Sequence, residues 1–584
     1  MRTRVSGVGI WGVSCAAFAL ALGVSAVRAQ SSADRPVIVL PPLPDARVDV
    51  EPPSARTEKQ LAIEAPAIVH APAVSTSAAN APASPAPAQA KSAPDGESLR
   101  AALVARVEQA RRERTVRGPQ SADARRRDAV AAYYESRGFQ PLWLEGAGWT
   151  AAARGAIARL NAAAEDGLNL AATPPPAAVG DGADAMAAAD FALSLAVVNY
   201  GWQASGGRID PRTIAKLITE APPVAELATI LTDVATAADA DAALRAFNPP
   251  QPGYAALRAK LAELRRDRPA APERVAPGPT LKTGMKDARV PMLRARFATP
   301  APEGVDELVY DGKLADAVAT YQRANGLAPT GQLTPRVVAA LNGADPAALE
   351  DEIIANMERW RWEPRAQTRD QIEVNIPDFT VKVTFDGVVA HRARVIVGKP
   401  DKPTPVFSNR MRFIEVNPYW NVPDSIIKNE MMPKLAADPT YLQRMGYEVS
   451  TSRSGKMIVR QPPGERNALG RIKFMFPNEH AVYLHDTPTR GLFNTERRAY
   501  SHGCVRVDQP FKFAEIVLGA NSGWTEDRVK RLIGGKNQTI PLPREIDIHI
   551  EYFTAFVDDD GKLRTREDIY GYSRKVRTAL GLTG

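Results

Sequence analysis

The spacing of apolar residues changes near residue 372, and this change limits the folds that the chain can adopt. Between residues 97 and 268, apolar side chains recur at helical spacing, as at Leu99 and Leu103. From Ile372 onward they alternate with polar residues, and Asp386-Gly387 supplies the tight turn of a hairpin. A helical part followed by a β-rich part predicts a multidomain α+β protein.

The chain of 584 residues is long enough for several domains. The predicted segments are a signal peptide at 1–29, a disordered Pro/Ala-rich linker at 30–96, a helical scaffold domain at 97–280, a three-helix module at 281–343, a connecting helix of the scaffold at 344–371, a β-rich domain at 372–550 and a C-terminal extension at 551–584.

The first 29 residues have the pattern of a secretory signal. Arg2 and Arg4 precede a mostly apolar run over 8–24, and Ala26 and Ala29 each occupy a suitable cleavage position. An uncleaved membrane anchor is the less favoured alternative, because glycine and serine interrupt the run. We therefore expect an exported protein, with the linker as a tether.

Residues 281–343 show a compact three-helix pattern. Leu293 and Phe297 share one helix face, and Leu314 and Val318 share another. The segment resembles the peptidoglycan-binding module of cell-wall enzymes, and a small spacer bundle is the alternative. The matching motifs are Leu293-x-x-Arg296, Ala317-Val318-x-x-Tyr321-Gln322, Asn325-Gly326-Leu327, Thr330-Gly331 and Leu341-Asn342.

An insert at 424–454 interrupts the β-rich domain. Ile427, Met431 and Leu435 return to helical spacing there, and prolines and a glycine break the segment. A partly helical insert in a β domain could be a lid over a site or a solvent-facing ornament.

Cys504 is the one cysteine that follows the predicted signal peptide. With no second thiol to pair with, it is a candidate nucleophile. His485 ends a short apolar run nineteen residues upstream. If the strand-like runs before His485 and after Cys504 lie side by side, the two side chains meet.

A Cys/His pair has a defined chemistry. A free thiol, with a pKa near 8.5, is a thiolate only in small part at neutral pH. A neighbouring imidazolium would lower the pKa of Cys504, and the imidazole could then protonate a departing amine. His485 fits this role if a backbone carbonyl binds its other ring nitrogen.

Residues around Cys504 could complete a site. His502 lines the pocket or only sets the loop geometry. Gly503 permits close backbone approach, and the Cys504 amide with a neighbouring amide could bind an oxyanion. Arg506 could bind a substrate carboxylate or the oxyanion, or form a structural ion pair.

Other chemistries are not supported by the sequence. The histidines outside the Cys504 region show no spacing typical of metal ligands, so we expect neither a metal nor another cofactor. The net charge of +8 is modest for this length, and no nucleic-acid motif is present.

The motifs together resemble a known family. His485 and the later segment Ser501-His502-Gly503-Cys504-Val505-Arg506-Val507 resemble the L,D-transpeptidase (YkuD) catalytic domain. Three further segments resemble its large periplasmic YcbB-type branch, which combines a helical scaffold, a peptidoglycan-binding module and a catalytic domain with an inserted lid. These are Glu358-Arg359-Trp360-Arg361-Trp362, Asn417-Pro418-Tyr419-Trp420-Asn421-Val422-Pro423 and His485-Asp486-Thr487-Pro488.

The resemblance implies a periplasmic enzyme that makes 3→3 cross-links in peptidoglycan through a thioester on Cys504. Donor tetrapeptide and acceptor stems would be its substrates, carbapenems its covalent inhibitors and cell-wall synthases possible partners. It extends the predicted oxyanion and substrate-binding set to Tyr483, Ser501, Trp420 and Asn421. The alternatives are an L,D-carboxypeptidase or endopeptidase, an enzyme that attaches proteins to the wall, and a non-catalytic wall-binding scaffold.

Overall fold

The computed structural model describes residues 94–117, 122–267, 273–324, 327, 329–342, 345–366 and 368–582. The predicted signal peptide and nearly all of the predicted linker lie outside the described residues. Asn325 and Gly326 of the three-helix motif also lie outside them.

A helical domain forms the N-terminal part of the described chain. Its elements are α1 (Gly96–Arg117), α2 (Ala122–Ser136), β1 (Leu144–Glu145), β2 (Gly148–Trp149), α3 (Ala151–Asn161), α4 (Gly182–Gly206), α5 (Pro211–Ile214), α6 (Leu227–Thr236), α7 (Ala240–Arg245) and α8 (Pro252–Arg266). Among the described helices, α4 alone is long and apolar enough to cross a membrane. However, 67% of its apolar window is buried inside the domain, as in a core helix.

The three-helix module has a small core of its own. It contains α9 (Val290–Phe297), α10 (Gly312–Ala324) and α11 (Pro335–Asn342). Leu293, Leu314 and Val318, which the sequence assigned to inward faces, are fully buried in this core. The predicted periodicity of the module is therefore confirmed.

A connecting helix and the first strands of the β-rich domain follow. They are α12 (Pro346–Trp360), β3 (Gln371–Asn375), β4 (Thr380–Phe385), β5 (Val388–Gly398) and β6 (Phe407–Val416). The predicted hairpin is β4 and β5, paired antiparallel. Asp386 and Gly387 have φ of 51° and 80° at its turn, which is the left-handed geometry that a two-residue hairpin needs.

The predicted insert at 424–454 and the short strands that flank it fold together as a small α/β unit. It contains β7 (Trp420–Asn421), α13 (Asp424–Ile426), a π-helical turn (Ile427–Met431), α14 (Met432–Ala437), α15 (Tyr441–Arg444), β8 (Glu448–Thr451) and β9 (Met457–Gln461). Val422, Ile427, Met431, Leu442 and Val459 form a core separate from that of the main sheet.

The chain then completes the β-rich domain. The remaining elements are β10 (Ile472–Met475), β11 (Leu484–His485), β12 (Ala499–Ser501), β13 (Val505–Val507), α16 (Pro510–Leu518), α17 (Glu526–Lys530), β14 (Gln538–Glu551), β15 (Ala555–Val557), β16 (Leu563–Thr565) and α18 (Tyr572–Leu580).

The main sheet closes on itself. Its strand order is β12-β5-β13-β11-β10-β6-β14-β3-β4, and β4 pairs back to β5. Alternating apolar residues of these strands fill the interior, as expected when one face of each strand is buried. The multidomain α+β prediction is confirmed.

Helices that precede and follow the strands in the chain join the core of this sheet. Leu257 of α8, Met357 of α12 and Val576 of α18 are fully buried in the same cluster as the strands. The segments predicted as a connecting helix and a C-terminal extension thus contribute to the core, because each buries an apolar face in it.

Candidate active site

Strands β11 and β13 lie side by side and parallel. Leu484 is opposite Val505, and His485 is opposite Arg506. Because residues two apart on a strand point to the same face, Tyr483, His485, Cys504 and Arg506 all lie on one face of the sheet. Leu484 and Val505 point to the other face and are fully buried in the core.

His485 is held in one orientation. Its side chain is 4% exposed, and its Nδ1 donates a hydrogen bond to the carbonyl oxygen of Asp486 at 2.5 Å. A backbone acceptor for this nitrogen was predicted and is present. Since Nδ1 carries the proton, Nε2 is the nitrogen that can act as a base.

The resting charge state differs from the sequence expectation. Burial, with the Arg506 charge second, lowers the pKa of His485 to about 3, although the carbonyls of Asp486 and Leu469 oppose this shift. Burial also raises the pKa of the Cys504 thiol. The expected thiolate–imidazolium pair is therefore replaced at rest by a neutral thiol and a neutral imidazole, because desolvation disfavours both charges.

Tyr483 connects the thiol with the rest of this face. Its hydroxyl is hydrogen-bonded to Cys504, and burial raises the pKa of this phenol. Its ring meets His485 edge-on, with centroids 5.8 Å apart. Lys473 lies over the ring, with Nζ 4.1 Å from the centroid, and pairs with Glu415 at 3.6 Å.

Lys473 was not identified from the sequence. It lies on β10, directly opposite His485 in the antiparallel pair. The alternation of β10 could have placed it on a polar face, but the partner strand depends on the sheet order. Its charge is one of the groups that lower the pKa of Cys504.

Arg506 adds a second cation to the face of the sheet that carries Cys504. One guanidinium nitrogen donates to Thr489 Oγ1 at 3.2 Å. Its Nε is buried and has no hydrogen-bond partner among the described residues. Burial lowers the pKa of Arg506, and Cys504 opposes this shift. Within the described ranges Arg506 makes no ion pair, so its charge is available to an anionic group of a substrate.

Ser501 and Gly503 shape the turn before Cys504. The Ser501 hydroxyl donates to the Cys504 carbonyl at 2.5 Å and accepts the Gly503 N–H at 3.1 Å. Gly503 has φ of 116°, which strains any other residue. The Gly503 N–H is therefore already hydrogen-bonded to Ser501. The Cys504 N–H is the better candidate for binding an oxyanion.

His502 points toward the insert. Its Nε2 lies 2.7 Å from Glu430 Oε1, in the π-helical turn. Trp420 and Asn421 lie at the base of the insert, where they pair with Gln461 and Arg460 of β9. The structure thus places these three predicted residues toward the insert, whereas Tyr483 and Arg506 accompany Cys504 and His485.

No group of three or more His, Cys, Asp or Glu side chains is arranged to hold a metal ion in the part of the chain that the structure describes. The chemistry of the site is built from a thiol, an imidazole, a phenol and two cations. These groups can support acyl transfer through a thioester.

Comparisons with protein families match three segments. Residues 369–530 match the family model of the L,D-transpeptidase catalytic domain, YkuD. Residues 128–261 match a scaffold domain, and residues 296–341 match a domain described as "Putative peptidoglycan binding domain". The three matches follow the order of the helical domain, the module and the β-rich domain.

A curated relative from Haemophilus influenzae, described as "Putative L,D-transpeptidase", is 36% identical over 226 residues. The match covers 36% of this chain and 45% of the relative, so the chain spans less than half the length of that protein.

Two solved structures show weaker similarity. An L,D-transpeptidase from Mycobacterium smegmatis is 16% identical, with 31% of this chain and 58% of that chain covered and a TM-score of 0.17. The catalytic domain of the E. faecium L,D-transpeptidase, acylated by ertapenem, is 14% identical, with 32% and 100% covered and a TM-score of 0.15.

Proposed function

We propose that this chain, whose residues 369–530 match the L,D-transpeptidase catalytic domain and which is similar to a putative L,D-transpeptidase, forms 3→3 cross-links in peptidoglycan. The observation that carries the proposal is the parallel register of β11 and β13, with Cys504 and His485 on one face. The match to a peptidoglycan binding domain supports the choice of polymer.

The first step is acylation of Cys504. Sγ attacks the carbonyl between the third residue, a diamino acid, and the fourth, D-Ala, of a donor tetrapeptide. The thiol proton passes to Nε2 of His485 as the carbon–sulfur bond forms. The carbon–nitrogen bond then breaks, and His485 returns the proton to the D-Ala nitrogen.

The second step transfers the acyl group. The side-chain amine of a diamino acid in an acceptor stem attacks the thioester carbonyl. His485 takes a proton from this amine, the carbon–sulfur bond breaks, and the proton returns to the sulfur of Cys504. The product is a 3→3 cross-link, and the thiol is regenerated.

The neutral resting pair suits this sequence of steps. Nε2 of His485 is unprotonated at neutral pH, because the pKa of His485 is lowered to about 3. Arg506 and Lys473 supply positive charge near the sulfur as it becomes anionic. The Cys504 amide, with Arg506, would stabilise the oxyanion of each tetrahedral intermediate.

Location and binding partners belong to the same proposal. A periplasmic protein would meet the stems, with the three-helix module bound to the wall and cell-wall synthases as possible partners. A carbapenem, as a strained acyl donor, would acylate Cys504 in the manner of a donor stem.

The test uses residues 30–584 with a disaccharide-tetrapeptide and mass spectrometry of the products. We expect dimers that have lost one D-Ala, and none with Cys504→Ser. Free tripeptide as the main product would instead identify a hydrolase. Binding of the glycopeptide with neither product would identify a wall-binding scaffold.

A further inference from the structure

The carboxylate of Asp486 is buried directly behind the proposed base. The residue is 2% exposed. Its Oδ2 accepts the Arg471 N–H at 2.9 Å, and its Oδ1 accepts from the Arg490 guanidinium at 2.8 Å. Its own N–H donates to the Ile472 carbonyl at 2.9 Å. Both the main chain and the side chain of Asp486 are therefore anchored at the start of β10.

Gly470 makes room for this carboxylate. It has φ of 64°, and a Cβ built there would lie 2.4 Å from Cγ and Oδ2 of Asp486. Any larger residue would displace the carboxylate. The position of the Asp486 carboxylate is therefore fixed by its packing against Gly470 as well as by its hydrogen bonds to Arg471 and Arg490.

Asp486 also supplies the carbonyl oxygen that accepts the hydrogen bond from His485 Nδ1. The direction of a carbonyl is set by the dihedral angles of its own residue. A side chain held at two points restricts those angles, so the Asp486 carboxylate restricts where the carbonyl points. Loss of this restraint would let the imidazole rotate or exchange tautomers.

We propose that the Asp486 carboxylate, seated against Gly470, is a positioning group that sets the tautomer of His485 through the Asp486 main-chain carbonyl. The proposal rests on the proposed function in one respect, the role of His485 as the base. It assigns no contact between Asp486 and the substrate.

Burial raises the pKa of Asp486, while the Arg471 N–H, the Arg490 charge and the Thr487 N–H oppose the shift. The neutral amide of Asn has the same shape and can still accept from the Arg471 N–H. Asp486→Asn is therefore the conservative variant, and Asp486→Ala removes the anchor. Glu465→Gln is the matched control, because Glu465 pairs with Arg471 at 3.1 Å and is 89% exposed.

The primary readout is nitrogen-15 NMR of the histidine rings in the resting protein, which contains six histidines. The His485 signal is assigned by its loss in His485→Gln. We expect the Nδ1–H tautomer in the wild type, in Glu465→Gln and in Asp486→Asn, and a tautomer mixture in Asp486→Ala. Because no substrate is present, this result does not depend on whether the protein cross-links peptidoglycan.

The second readout is the rate of Cys504 acylation by a carbapenem, followed by intact-protein mass. We expect Asp486→Ala to slow acylation roughly 100-fold, as for a misplaced catalytic group, and Asp486→Asn to restore most of the rate. Gly470→Ala should displace the Asp486 carboxylate and therefore slow acylation to the same extent as Asp486→Ala. It also provides the test if Asp486→Ala does not fold. A single Nδ1–H tautomer with wild-type acylation in Gly470→Ala or Asp486→Ala would overturn the proposal.

Discussion

Cys504 and His485 sit in surroundings that hold both of them uncharged. Burial raises the pKa of the thiol and lowers that of the imidazole. A preformed ion pair would require stabilisation of two opposite charges in a poorly solvated site. We therefore expect the proton to move from Cys504 Sγ to His485 Nε2 only when the substrate carbonyl approaches the sulfur.

The Cys504→Ala variant should lose all turnover and keep its fold. The sulfur is the only protein atom in the proposed mechanism that forms a covalent bond with the donor, whereas Cys504 is not part of the apolar core. Product analysis by mass spectrometry checks the first point, and the melting temperature checks the second. Cross-links made by the variant would remove Cys504 from the mechanism.

His485→Ala should slow acylation by roughly 100-fold or more, which is the range of general acid–base catalysis. Stopped-flow measurement of carbapenem acylation gives the rate, with His391→Ala as the control. A wild-type rate in His485→Ala would transfer the role of base to His502.

The pH profile of acylation follows from the lowered pKa of His485, which is about 3. The imidazole of His485 stays neutral until the pH falls to about 3. Acylation should therefore not decline between pH 7 and pH 5. A decline centred near pH 6.5, the ordinary range of histidine, would show that the imidazole is protonated there and would contradict the neutral pair.

At the scale of elements, the insert is set apart by a core of its own. Its contact with the catalytic motif is the pair between Glu430 and His502, at 2.7 Å. Glu430 lies in a π-helical turn, a local irregularity often found at functional sites. The geometry favours a lid over an ornament, because the insert reaches the residue two positions from the nucleophile.

Deletion of 424–454 should raise hydrolysis relative to cross-linking, because a lid that restricts water favours an amine acceptor. The ratio of free tripeptide to dimer measures this effect. Glu430→Gln, which removes the charge and keeps the size, should shift the ratio in the same direction by a smaller factor. An unchanged ratio in the deletion variant would reject the lid.

At the scale of the whole molecule, carboxyl groups are buried where the helical domain meets the sheet. Glu220 accepts from the Ser408 hydroxyl at 2.7 Å, and the same hydroxyl lies 2.8 Å from His549 Nδ1. Burial raises the pKa of Glu220 to about 7 and that of Glu363 and Glu551 well above the usual range. These groups are neutral in the folded protein at mildly acidic pH.

The Glu220→Gln variant should become more stable relative to the wild type as the pH rises. An acid whose pKa is raised on folding costs stability once the pH exceeds its unfolded value, and the cost levels off above about 7 for Glu220. The relative gain should approach about 3 kcal/mol between pH 4.5 and 7.5. Thermal unfolding at both pH values measures it, with the exposed Glu479→Gln as control. Equal differences at the two pH values would show that the pKa of Glu220 is not raised on folding.

Local patterns were enough for several features of this protein. The hairpin of β4 and β5 is encoded by alternation and by Asp386-Gly387. The helices of the module follow from the spacing of their apolar residues. Cys504 and His485 were recognisable because thiol and imidazole chemistry depends on residue type, which a sequence states directly.

Contacts between distant segments could not be predicted from local sequence patterns. Lys473 and the seat of Asp486 against Gly470 depend on β10 lying beside β11, and no spacing specifies that pairing. The contact between Glu430 and His502 joins residues 72 positions apart. The neutral state of His485 depends on burial, which is a property of the assembled sheet.

The sequence by itself determined the order of the domains, the local elements and the candidates for the reactive side chains, because each depends on residue types or on residues that are near one another in the chain. The tertiary structure decided which groups face Cys504, which proton His485 carries and which helices complete the core of the sheet. Those properties arise from strand order and desolvation, and both exist only when distant segments pack together.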